Sequence, residues 1–322
     1  MIAVVIPYYQ RSAGVLRKAL ASIASQRDCT MPIHVIVVDD ASPVPAGPEI
    51  ESAGPLPHAV QIVSQANGGP GAARNRGLDE VPQGTRYIAF LDSDDEWMPD
   101  HLARAVCTLE AGYDFYFADH YQLDQSTGAF ARGGKIQIGE HPALPLAQPG
   151  LHAYQGDMVD QIIRGNLIGT STVVFRRDRF GGKRFKVEFT NAGEDYLFWL
   201  DLAHNGARIA FSAQCEARYG HGVNVYAGSG WETDQHLLRV HNELRYRKVT
   251  GQLYSVTKAQ QDHLRASVRE LRLAFARDLL HRVAHRKALP AKLLAAHFKL
   301  DPMSFFNLPL AAAKLLLHRP QG

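Results

Sequence analysis

The stretch Tyr87-Ile-Ala-Phe-Leu-Asp-Ser-Asp-Asp95 constrains this chain more than any other: an apolar run ends in three carboxylates within four positions. A run this short, bounded by polar residues, reads as a buried strand rather than a helix. Asp92, Asp94 and Asp95 then fall just past its C-terminal end, where open parallel sheets bind ligands. Like charges this close repel, so a cation should hold them together, and a divalent metal with hard oxygen ligands fits best. A metal gripped by few protein carboxylates keeps positions open for a diphosphate. The structural alternative is an acidic turn capping the next helix, since Pro99 and Asp100 precede a helical pattern from His101. A bare Asp-x-Asp is weak, and its surroundings decide.

Upstream, Ile2 to Ile6 is apolar on both faces, as a central parallel strand should be, and it ends at Pro7-Tyr8-Tyr9. A helix follows over roughly Val15 to Gln26, with Leu16, Leu20 and Ile23 at helical spacing. Ile33 to Val38 is the second strand, running into Asp39-Asp40-Ala41-Ser42, and residues 43–57 read as a Pro- and Gly-rich loop. Ala59 to Ser64 is the third strand. The turn Asn67-Gly-Gly-Pro-Gly-Ala-Ala-Arg74 then leads into a short helix. This order predicts a doubly wound α/β nucleotide-binding sheet. The glycine turn is neither Gly-x-Gly-x-x-Gly nor a P-loop, so a dinucleotide enzyme is poorly supported. Its glycines let backbone pass close to a nucleotide, with Arg74 as a cationic partner or else as a merely solvated side chain.

Beyond Asp95 the periodicity predicts a helix carrying Leu102, Val106 and Leu109, a strand over Asp114 to Asp119 and a loop over 125–150. It then predicts a helix over Leu151 to Gly165 and a strand over Ser171 to Arg176. Glu194-Asp195-Tyr-Leu-Phe-Trp-Leu200 opens a helix, because acidic residues suit a helix N-terminus; Trp199 reads as core. Arg208 to Phe211 is a further strand, and Tyr219 to Asn224 a loop.

The 322 residues allow one large domain, or a core with an appendage, and ample chain to bury a core. Cys29, Cys107 and Cys215 are odd in number and widely spaced, which fits a reducing compartment and neither a disulfide framework nor a zinc site. The N-terminal apolar run lacks a basic flank and is too short for a signal peptide, and no segment has the length of a transmembrane helix. A cytoplasmic protein is expected. From His241 onward fifteen Lys and Arg stand against five Asp and Glu, a surplus of ten. With the whole chain at +3, the residues before His241 carry a deficit of seven.

Val-Ile-Pro-Tyr-Tyr, Val-Val-Asp-Asp-Ala-Ser, Asn-Gly-Gly…Ala-Arg-Asn…Gly and Leu-Asp-Ser-Asp-Asp occur in that order. Together they resemble glycosyltransferase family 2, over about residues 1–225. Gly-Glu-Asp-Tyr-Leu-Phe-Trp-Leu extends the likeness, and the opening residues are similar to bacterial exopolysaccharide transferases of the succinoglycan type. The resemblance implies a GT-A fold: a Rossmann-like nucleotide-binding half (1–120) and an acceptor-binding half (121–230), followed by a basic helical appendage (231–322). It implies that Pro7, Tyr9 and Asp39 line the nucleoside pocket, Asp39 accepting from a uracil N–H, with Asp40, Asn67, Arg74 and Ser93 in the donor site. Asp92 and Asp94 match the metal and ribose motif, for Mg²⁺ or Mn²⁺, with Asp94 on the metal. It further implies Asp195 as the base of an inverting transfer, Glu194 either orienting the acceptor or taking the base role itself. His221, in a Tyr-x-His loop, is implied as a metal ligand or phosphate contact, although Gly220 stands where the family often has Arg. The expected donor is a UDP-sugar, with glucose as the sugar. The expected acceptor is a growing exopolysaccharide oligosaccharide, lipid-linked at the inner membrane's cytoplasmic face.

Residues 232–285 read as long helices. From Ala288 cations alternate with apolar residues through Phe305-Phe306 and on to Leu310–Leu317, which suits an interfacial helix on anionic lipid. The alternative is a helical appendage packed on the body or on a second copy of the chain. No nucleic-acid reader motif occurs, and the acidic body argues against that partner. Two rival functions remain: a sugar nucleotidyltransferase, whose glycine loop normally follows the first strand, and a non-catalytic nucleotide-sugar-binding scaffold.

Overall fold

The computed structural model describes residues 1–190, 192–222 and 230–309. In chain order these form β1 (Ile2–Tyr8), α1 (Val15–Ala24), β2 (Ile33–Asp39), α2 (Ala46–Ser52), β3 (Ala59–Ser64), α3 (Pro70–Asp79), β4 (Tyr87–Phe90) and β5 (Glu96–Trp97). There follow α4 (His101–Glu110), β6 (Phe115–Tyr121), α5 (Ala129–Gly133), β7 (Leu151–Ala153), α6 (Met158–Gly165), β8 (Val174–Arg176), α7 (Arg177–Phe180), α8 (Glu194–His204) and β9 (Ile209–Arg218). These elements make one compact unit, 1–190 with 194–223; the second unit holds 191–193 and 224–322.

The first unit is built on a nine-stranded sheet in the order β3-β2-β1-β4-β8-β6-β9-β5, with β7 also on β9. β1 lies between β2 and β4, parallel to both, and its residues are almost all buried, as its unbroken apolar sequence requires. β3, on the edge, leaves Ile62 exposed. Direction changes at β8, antiparallel to β4 and to β6. The C-terminal ends of β1, β2 and β4 therefore open together beside a change of strand direction, the position at which such sheets bind ligands. Helix α1 buries Leu16, Ala19, Leu20 and Ile23, one apolar stripe at helical spacing. Helix α3 lies so close to the sheet that a Cβ on Gly77 would come within 2.4 Å of Val5 Cγ1.

Four sequence expectations give way. The stretch 125–150, read as a loop, contains the short helix α5. The stretch 43–57 contains helix α2, with Pro45 at its N-cap. Leu151 to Gly165 is not one helix: Leu151–Ala153 pairs antiparallel with β9, and the helix starts only at Met158, capped by Asp157. Three residues are too few to show a period. The strand expected from Ser171 begins at Val174, because Thr170–Thr172 forms a 3-10 turn.

The second unit comprises α9 (His236–Leu253), α10 (Lys258–Ala284), α11 (Ala291–Leu300) and α12 (Met303–Phe306). Leu237 and Val240 from α9 pack with Phe275 and Leu279 from α10, joined by Leu293, Leu294 and Phe305. A reciprocal capping box between Thr257 and Gln260 starts α10. Among the described residues no helix is long and apolar enough to cross a membrane. The expected apolar run Leu310–Leu317 lies outside the described residues, as does Asn224.

Candidate active site

The three carboxylates after β4 enter three different environments. Asp92 Oδ1 accepts a 2.6 Å bond from Arg74 Nη2. Asp94 Oδ2 accepts from the backbone N–H of Gly222 at 2.9 Å. Asp95 is buried, its oxygens accepting from Ser171 Oγ at 2.5 Å and from Gly220 N–H at 3.0 Å. Burial, and then the neighbouring Asp92, hold the Asp94 carboxyl up to about 6. Burial, then Asp94 and Asp92, push Asp95 well above the usual carboxylate range. None of the three caps α4, and Asp100, at the N-cap position, makes no side-chain cap bond. The acidic-turn alternative therefore does not describe this turn.

Arg74 ties that turn to a second one. It lies in α3, just after the glycine turn, and is only 4 % exposed; its other terminal nitrogen, Nη1, meets Glu194 Oε1 at 3.3 Å. Its guanidinium also faces the Phe185 ring at 5.5 Å, part of an aromatic cluster with Phe90, Phe198 and Trp199. Trp199 is core, as its sequence setting predicts. Burial opposes the charge on Arg74, but Asp92 and Glu194 more than offset it and hold the guanidinium firmly protonated. Glu194 and Asp195 occupy the first turn of α8. Burial and the adjacent Asp195 raise Glu194 to about 7 against the pull of Arg74. Burial also raises Asp195, whose Oδ1 accepts from the Tyr196 N–H at 2.8 Å. Glu194, 120 positions from Arg74 in sequence, thus shares its guanidinium with Asp92. Five carboxylates crowd the two turns that this buried arginine joins, and burial, followed by repulsion among them, holds several above their ordinary range.

On the nucleoside side, Pro7 and Tyr8 run in register with Val38 and Asp39, and Tyr9 follows, partly buried. Asp39 receives the N–H groups of Ser42 and Ala46, one on each oxygen, which fixes the turn into α2. Asp40 has structural work. Its carboxylate accepts from Gly68 N–H, Gly69 N–H and Gln65 Nε2, while Asn67 Nδ2 donates to its carbonyl. Asp40 and Asn67 therefore shape the glycine turn from within. Ser93 is buried and its hydroxyl accepts from Gln10 Nε2 at 3.0 Å.

His221 is not brought onto Asp92 and Asp94. It is exposed, and its Nε2 meets Asp124 Oδ1 at 3.1 Å. Its two glycine neighbours reach the acidic turn instead, through their backbone N–H groups. The contact is close: a Cβ on Gly220 would overlap the Asp94 carbonyl oxygen, and one on Gly222 would come within 2.3 Å of Asp94 Oδ2. Among the described residues no group of three or more His, Cys, Asp or Glu forms a metal cage.

Sequence reasoning missed Ser171 and Gln10. Ser171 is fully buried; its hydroxyl also accepts the Asp92 N–H at 3.0 Å, and its carbonyl accepts from Trp97 Nε1 at 2.5 Å. Nothing in a Thr-Ser-Thr stretch marks the middle hydroxyl as the link between two carboxylate residues 79 and 76 positions away.

Comparison with known proteins agrees with this architecture. The chain is 32% identical over 246 residues to the succinoglycan biosynthesis protein ExoW of Rhizobium meliloti, covering 75% of each chain. Its fold is similar to Staphylococcus aureus TarS 1–349 in complex with UDP-GlcNAc, with TM-score 0.58, 18% identity, 88% of this chain and 72% of that one. It is also similar to the mannosyltransferase PcManGT from Pyrobaculum calidifontis in complex with GDP-Man and Mn²⁺, with TM-score 0.57, 17% identity, 97% of this chain and 84% of that one. At those identities the two structures speak for the fold alone, which is GT-A. The model of the family "Glycosyl transferase family 2" matches residues 3–180, the span that runs from β1 through β8 and holds the glycine turn and the acidic turn, and the chain belongs to that family.

Proposed function

We propose that this enzyme transfers glucose from UDP-glucose, with inversion, to a hydroxyl of a growing exopolysaccharide oligosaccharide. The acceptor is lipid-linked at the cytoplasmic face of the inner membrane. The observation that carries the reading is Arg74, buried and bound at once to Asp92 of the acidic turn and Glu194 of the α8 turn. A donor motif and a candidate base thereby become one site. The exopolysaccharide assignment draws on the relative named for succinoglycan biosynthesis, and the UDP donor on the TarS complex.

Asp195 serves as the base. Its carboxylate takes the proton of the acceptor hydroxyl as that oxygen forms its bond to the anomeric carbon. The bond from that carbon to the diphosphate breaks on the opposite side, and UDP leaves. Burial makes Asp195 a stronger base than a solvated aspartate. Glu194, engaged with Arg74, orients the acceptor side, and Pro7, Tyr9 and Asp39 receive the nucleoside. Each Asp39 oxygen carries one backbone bond and keeps a further lone pair for a base N–H.

Asp92 and Asp94 suit a divalent ion: both are hard oxygen donors, partly accessible, and burial, then repulsion from Asp92, raises Asp94. Bound there, Mg²⁺ or Mn²⁺ would neutralise the leaving diphosphate as a Lewis acid. His221 stays out of this ligand set. The test is turnover of UDP-glucose with a lipid-linked oligosaccharide acceptor. Asp195→Asn should lower kcat by at least about a hundredfold, the worth of a general base, while UDP still binds. Unaltered turnover would remove Asp195 from this role, and release of pyrophosphate from UTP and a sugar 1-phosphate would identify a nucleotidyltransferase.

A further inference from the structure

Exposed large apolar side chains are scattered over most of the described residues, but Val283, Leu289, Phe298, Met303 and Phe306 fall together at the end of the helical unit. Phe298 is 55% and Phe306 72% exposed. Helix α11 turns Leu293, Leu294 and His297 inward and leaves Lys292, Phe298 and Lys299 exposed. Phe298 and Phe305 meet edge to face at 5.5 Å, which joins α11 to α12 in one surface. The charge that residues 280–309 themselves bring is almost wholly positive; near their start the exposed Asp234 pairs with Arg282. Between Leu279 and Pro309 the sequence holds a single acid, Asp301. That acid is buried and bound by Arg272 and Lys248. Arg286, Lys292 and Lys299 are all exposed.

We propose that this face docks on an anionic lipid bilayer, Phe298, Met303 and Phe306 entering the interface and the cations meeting lipid headgroups. Exposed aromatics on α11 and α12 set among cations, with the one acid of that segment, Asp301, buried, match what an anionic interface rewards. A second copy applying the same face would set cation against cation. The inference stands apart from the donor assignment and concerns the helical unit alone. It adds the surface to the helical periodicity visible in the sequence, because exposure, and the burial of Asp301, decide which side chains are available.

The test is flotation of the full chain with vesicles of phosphatidylcholine, with and without phosphatidylglycerol. The chain should partition onto the anionic vesicles at least about tenfold better, and added salt should weaken it. Phe298→Ser with Phe306→Ser, and separately Lys292→Glu with Lys299→Glu, should each lower partitioning about tenfold. Calorimetric UDP titration of the same variants reports folding and the donor site independently. Equal partitioning onto both vesicle types, or variants that float like the parent, would overturn the proposal. Self-association lost in the same variants, without flotation of the parent, would assign the face to a second copy and overturn it equally.

Discussion

Asp301 and Asp94 are the same residue type in opposite circumstances. Burial pushes Asp301 up, but hydrogen bonds from Arg272, Ser304 and Lys248 outweigh it and hold its carboxyl far below the usual range. Asp94 has one backbone donor, a neighbouring aspartate and a raised proton affinity. The helical unit pairs its buried acids, Asp301 with Arg272 and Lys248 and Asp278 with Arg282 and His236. The GT-A unit gathers five carboxylates in two turns joined by one guanidinium and leaves them short of cations. A structural acid is paired to completion, whereas the acids of this turn keep a deficit, the one that the proposed function assigns to a divalent ion.

Removing Arg74 breaks this comparison most severely. Arg74→Met leaves Asp92 and Glu194 without their shared cation in a buried setting. Losing one partner of a buried pair costs about 3–5 kcal/mol. Urea unfolding should register that loss, and turnover should fall below detection. Asp301→Asn sharpens the other half. It strands Arg272 and Lys248, both partly exposed, so the cost should lie toward the low end, about 2–3 kcal/mol after solvent screening. UDP affinity should stay at the parent value in the same preparation.

The pH dependence separates the two regions with a smaller effect. Asp301 has a depressed native value, so its contribution is complete above the ordinary carboxylate value of about 4 and is lost as pH falls below it. Asp94 and Glu194 have raised native values, about 6 and about 7. Their contribution is complete below the ordinary value and is lost as pH rises through those points. Metal-free protein should therefore lose thermal stability between about pH 4 and 7. Asp94→Asn, or added Mn²⁺, should flatten that slope. A metal-free midpoint that climbs steadily to pH 7 would contradict the assignment.

Much of this was legible in the sequence, for identifiable reasons. β1 and β4 are unbroken apolar runs and β2 is interrupted only by His34 before Asp39, and a run buried on both faces has few alternatives. The acidic turn followed because its carboxylates are contiguous, and the α8 turn because acids cluster at a helix start. What escaped was whatever depends on separation. Ser171 and Gln10 are ordinary residues until folding carries them to Asp95 and Ser93. Asp40 reads as a ligand beside Asp39, yet its oxygens are taken by backbone N–H groups of the glycine turn, invisible to any motif. His221 reads as a metal ligand, but Asp124, 97 residues away, receives it. Short elements such as β5 and β7 carry too few residues to display a period.

The central claim is that the Asp92–Asp94 turn, held by Arg74, binds a nucleoside diphosphate together with a divalent ion. Calorimetric titration of UDP and UDP-glucose, with and without Mn²⁺, on the parent chain and Asp94→Ala tests it most directly. Binding should require Mn²⁺ in the parent and be lost in Asp94→Ala. Binding of equal strength with and without the metal, or no binding of UDP under either condition, would contradict it.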